Sequence, residues 1–106
     1  MKDYIDLFSD ENWVEAPEYS DNTLKKVLHD SDDLRITLIR LPAGFEMAPH
    51  SHLMSEHHII LRGEYESDGD QYLQGTYRSF EPHQKHGPFA SENGAIVLVI
   101  WKKEKV

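Results

Sequence analysis

Six of the seven histidines lie between positions 50 and 86. Imidazoles clustered this way point first to a metal site. The segment GFEMAPHSHLMSEHHIILRG fits the spacing G-x5-H-x-H-x3-E-x6-G through Gly44, His50, His52, Glu56 and Gly63. Residues two apart on a strand share a face, so His50 and His52 point the same way. Three further residues allow a turn, after which Glu56 on the next strand returns to that face. Two neutral imidazoles and a carboxylate suit a divalent cation of the first transition row.

A fourth ligand must come from a neighbouring strand or loop. His83 and His86, in EPHQKHGPF, are the candidates. His86 is preferred because the Gly-Pro after it lets the backbone turn directly beyond the ligand. His58 shares strand parity with Glu56 and Ile60, which sets it beside the metal as a second donor layer or a substrate contact. His57 has the opposite parity and faces outward. His29 ends a strand remote from the motif. Phe45, Met47, Tyr65, Tyr77, Phe89 and Trp101 read as core, with a few lining a pocket. Arg40 and Arg62 could hold an anionic substrate group but read first as surface residues.

The elements that must hold these groups read as short strands separated by turns. Strands are expected over 23–29, 35–41, 56–62 (stopped by Gly63), 64–67, 70–73, 76–80 and 95–101. Asp68-Gly69 signals a type I′ hairpin, and 82–88 is a loop. So many short strands with frequent turns indicate a sandwich or barrel. Residues 1–22 form an acidic flank, 23–102 a single barrel domain and 103–106 a polar tail. Within the flank, Asp3 to Phe8 is expected to form a short helix, and Trp13 and Val14 to anchor onto the core.

Composition narrows the function. The 106 residues suit one domain. The formal net charge is −8, and residues 1–33 alone hold ten acids against three lysines. Such a chain repels nucleic acid, so no nucleic-acid partner is expected. No run of 18 apolar residues is present, so no membrane-spanning helix is expected. The acidic N-terminus carries no export signal, and there are no cysteines for disulfides or thiolate sites. A cytoplasmic location is the expectation.

The Gly44–Gly63 segment resembles the first motif of the cupins, and Gly75–His86 resembles a degenerate second motif through Gly75, Pro82 and His86. The wider pattern is similar to the ChrR-type cupins, the family of an anti-sigma-factor C-terminal domain. It takes in Trp13, TLKKVLH, RITLIRLPAG, GEYESDGDQYLQGTY and HGPFASENG. The resemblance implies an all-β fold, a cupin (RmlC-like jelly roll) double-stranded β-barrel with the metal inside. That group includes metal-dependent dioxygenases acting on acetylacetone-like compounds and zinc-binding regulatory domains. The expectation is one divalent metal per subunit (Fe2+, Zn2+, Mn2+ or Ni2+) on His50, His52, Glu56 and His86. Three histidines and a glutamate leave an octahedral metal two open positions, enough for a small molecule with two oxygens. An enzyme of the dioxygenase type is favoured, because the 106 residues leave no room for the anti-sigma factor's helical region. A ligand-sensing cupin is the alternative. A homodimer through exposed sheet edges, around Thr23–His29, is also expected.

Overall fold

The longest alternation in the chain, AIVLVIW, buries Ala95, Val97 and Val99 on one face and leaves the residues between them half-exposed. The period of two follows from the pleat, and it makes this strand the spine of the fold. The structure is a computed structural model, and it describes residues 3–50 and 54–103. Nine strands run in chain order: β1 (Val14–Glu15), β2 (Leu24–Asp30), β3 (Leu34–Leu41), β4 (Phe45–Met47), β5 (Ser55–Ser67), β6 (Asp70–Leu73), β7 (Tyr77–Phe80), β8 (Phe89–Ser91) and β9 (Ala95–Lys102). There is no helix among the described residues.

Strands pair antiparallel throughout, in the order β1-β2-β3-β9-β5-β8-β4, with β6 and β7 also on β5. The first half of β5 lies between β9 and β7; its last residues pair with β6 and β8. One strand thus joins both sheets of an antiparallel, jelly-roll barrel. Ile39, Leu41, Phe45, Ile60, Tyr65, Phe80, Phe89 and Val97 fill the space between them.

Several strands match expectation, and the differences have local causes. The strand expected to stop at Gly63 continues to Ser67. An extra residue at Leu61 makes a β-bulge, since Ile60 faces Val97 and Arg62 faces the adjacent Ile96. The bulge changes the phase: Glu56, His58 and Ile60 point inward before it, Tyr65 and Ser67 after it. Gly63 has φ +76, and a Cβ there would collide with the carbonyl oxygen of Gly94. Beyond it, Asp68 (φ 52) and Gly69 (φ 85) form the expected two-residue turn.

The helix expected over Asp3–Phe8 is absent. The Phe8 amide donates to Asp6 Oδ1 at 3.0 Å and the Ser9 amide to the Asp6 carbonyl, so this stretch is a turn. Aspartate and serine compete with the helical backbone in this way. The acidic segment is exposed along most of its length yet tied down. The buried Lys26 Nζ donates to the Ser9 carbonyl at 3.1 Å and lies 4.7 Å from the Trp13 ring. Val14 and Glu15 add an edge strand to β2, with the Val14 side chain exposed. Trp13 is therefore the anchor, and Val14 is not.

Candidate metal centre

β4 ends at Met47, and the chain then meets the loop that follows β7. His50 and His86 sit directly opposite each other there. The His50 amide donates to the His86 carbonyl at 2.9 Å and the His86 amide to the His50 carbonyl at 2.8 Å. Residues opposed across an antiparallel pair place their side chains on one face, and the two rings lie 4.3 Å apart. Glu56, one residue into β5, completes the group. His50, Glu56 and His86 each offer one ligand atom, all within 4.8 Å of one another. Glu56 and His86 are buried, each 3% exposed. His52 lies outside the described residues. His83 is exposed at a left-handed turn position (φ 64) and is not in the cluster.

The hydrogen bonds fix the ring orientations. His86 Nδ1 donates to the Gln84 carbonyl at 3.0 Å, and His50 Nδ1 donates to the Ala48 carbonyl at 3.2 Å. A carbonyl only accepts, so in each neutral ring Nε2 is the lone-pair atom. His86 Nε2 lies 2.7 Å from Glu56 Oε2. A lone pair and a carboxylate oxygen at that distance need a positive charge between or on them, a proton or a cation. The donor chemistry therefore fits a divalent metal.

Behind the cluster, His58 is buried and bridges two groups. Its Nε2 donates to Glu56 Oε1 at 3.1 Å, and its Nδ1 accepts from the Tyr65 hydroxyl at 2.8 Å. Arg78 Nη1 donates to the same hydroxyl at 3.2 Å. Burial pushes the His58 pKa down and outweighs the pull of Glu56, so the ring is neutral. For Glu56, burial acts to raise the pKa, but foremost the hydrogen bond from His58 holds it well below the usual carboxylate range. His58 thus stands beside the cluster, where strand parity put it. Tyr65, read as plain core, is a polar partner as well, because the bulge turns it inward. Arg78 was not singled out; its signal is its shared parity with Phe80 in YRSF.

A cavity of about 40 Å³ adjoins the cluster, walled by Ile39, Phe45, Phe89, Val97 and Val99 with Tyr19 and Tyr65. It shares Tyr19, Ile39, Met47 and His50 with a wider cavity of about 470 Å³, bordered by Arg35, Thr37 and Trp101. Burial foremost, then the Glu56 charge, raises the Tyr19 pKa, so the phenol remains a proton donor at neutral pH. The residues read as surface are on the surface: Arg40 and Arg62 are exposed, Arg62 lying 3.9 Å from the Phe8 ring. His57 faces outward, its Nδ1 2.6 Å from the hydroxyl of Tyr77. Tyr77 itself is 59% exposed and not core, because it shares the outward parity of Ser79 on β7.

A His–Glu–His group with its carboxylate buried inside a small jelly-roll barrel is the arrangement of the cupin class. Within that class the chain belongs to the ChrR cupin-like domain family, whose model matches residues 2–103. Solved structures agree on the fold. An acetylacetone dioxygenase from Acinetobacter johnsonii superposes with a TM-score of 0.80 at 21% identity, covering 96% of this chain and 74% of that one. The anti-sigma ChrR complex with SigE from Rhodobacter sphaeroides gives 0.74 at 19%, covering 90% of this chain and 51% of that one. KdgF from Halomonas sp. gives 0.69 at 16%, covering 91% and 90%. No curated protein matches the sequence.

Proposed function

We propose that this chain is a metal-dependent cupin enzyme, a dioxygenase of the iron type acting on a small carbonyl or diketone-like compound. Its metal is one divalent transition ion (Fe2+, Zn2+, Mn2+ or Ni2+) held by His50, His52, Glu56 and His86. The observation that carries this reading is the meeting of two Nε2 lone pairs with a buried carboxylate at the end of an apolar cavity. When bound, such an ion supplies Lewis acidity toward carbonyl oxygens and, as iron, access to O2 chemistry. The chain's own residues orient and insulate. His58 holds one carboxylate oxygen of Glu56, leaving the other toward His86. Tyr65 and Arg78 fix the His58 ring in turn. The aliphatic and aromatic walls keep bulk water away, which strengthens every charge interaction inside.

Elemental analysis of the wild type, H50A and E56Q tests the metal claim. We expect about one ion per chain in the wild type and a near-complete loss in both variants. Equal contents would sink it. The similarity to ChrR favours a second reading, a sensing cupin that binds a ligand without turning it over. Oxygen uptake by the iron-loaded protein with acetylacetone separates the two; uptake supports the enzyme, and binding without uptake supports the sensor. We further propose that the chain acts as a homodimer.

A further inference from the structure

The wider cavity is not a neutral funnel. On β3 the odd residues face the barrel interior, so Arg35, Thr37 and Ile39 follow one another from the rim inward. The register puts Arg35 opposite Trp101 and Trp101 opposite Glu56. These three residues form one rung across β3, β9 and β5, so Arg35 stands two strands from Glu56, roughly 10 Å along the sheet. Thr37 occupies the next rung, opposite Val99, which in turn faces His58.

Two features single out this pair. Arg35 Nε and Thr37 Oγ1 are both enclosed and have no hydrogen-bond partner among the described residues. Thr37 is 1% exposed. A buried donor or hydroxyl left unpaired is costly, and native proteins keep few of them. The other cation of the cavity, Lys25, is occupied by Glu18 at 2.8 Å. The Arg35 guanidinium lies 5.5 Å from the Trp101 ring, an apolar wall that strengthens its field. A planar guanidinium beside a hydroxyl suits a carboxylate.

We infer that the ligand of this site carries a carboxylate at the end remote from the metal, bound by Arg35 and Thr37. Resting on the proposed function, this narrows the substrate class to an enolisable dicarbonyl compound with an anionic tail a few carbons away. A plain diketone fills the inner cavity and leaves Arg35 and Thr37 unanswered.

The test uses two probes of seven carbons, 4,6-dioxoheptanoate and 2,4-heptanedione, which share the dicarbonyl end and differ in the tail. Each is titrated calorimetrically into zinc-loaded protein, so that binding is read without turnover. We expect the carboxylate probe to bind about tenfold or more tighter. R35M and T37V should reduce that ratio toward one while leaving 2,4-heptanedione affinity and zinc content unchanged. R35K, which keeps the charge, should retain part of the preference and serves if R35M does not fold. Equal affinities in the wild type, or a preference undiminished in R35M and T37V, would overturn the anionic anchor and leave the diketone reading intact. No binding of either probe to zinc-loaded protein would overturn the diketone reading and the anchor with it.

Discussion

At pH 7 the His58 ring is neutral because its burial outweighs the pull of Glu56, to which it donates. Its folded pKa lies below the unfolded value of ~6.5. The stability it contributes is therefore present above that value and lost as pH falls through it. Glu56 follows at lower pH: its folded pKa is depressed, so its contribution is present above the ordinary carboxyl value of about 4.3 and lost below. Metal donors obey the same rule, since protons compete with the cation. We expect the melting temperature with metal to exceed that with a chelator at pH 8, and the gap to close by pH 5. A gap that stays constant over this range would mean that histidines do not hold the ion.

Among the elements, β5 carries most of the construction. It supplies Glu56, His58 and Tyr65 and pairs with four other strands. Its weak point is Gly63, where an added methyl collides with the Gly94 carbonyl and the backbone has a left-handed φ. G63A should cost about 2–3 kcal/mol. G75A is the control: its φ is +90, but nothing lies within 4 Å of the new methyl. Strain alone should cost it about 1 kcal/mol. Denaturation midpoints of the two variants check the difference. The same strand explains what was legible beforehand. The spacing from His50 to Glu56, the Asp68-Gly69 turn and the parity of His58 are local patterns, and the sequence displays them directly. The phase change at Leu61 is not local. It depends on the Gly94 carbonyl packing against Gly63, so Tyr65 read as ordinary core. Arg35 was missed for another reason. In RITLIRL, Leu38 on the opposite face is as buried as Ile39, so hydrophobicity does not reveal which face looks inward.

For the molecule as a whole, the sheet edge at β1 and β2 is the one that bears on assembly. β1 pairs only with Leu24 and Lys25, and further along β2 the exposed Val27 lies close to the open edge. Unpaired edges invite partners. Light scattering at micromolar concentration should give twice the 12.3 kDa chain mass, and V27K should shift it toward one. A wild-type mass near 12.3 kDa would contradict the dimer. The bulge at Leu61 also bears on the history of the fold. Sequence identity to the solved relatives is only 16–21%, so most side chains have been exchanged while the barrel persists. Substitution leaves the phase of β5 untouched, and loss of Leu61 alone would remove the bulge while the Ile60–Val97 and Arg62–Ile96 pairs continue as a regular ladder, with Tyr65 and Ser67 still inward. One inserted residue outside the bulge, by contrast, would set Glu56 and Tyr65 on opposite faces of the sheet. Relatives one residue shorter here should pair regularly without the bulge, and other single-residue changes of length should be purged in descent long before substitutions are.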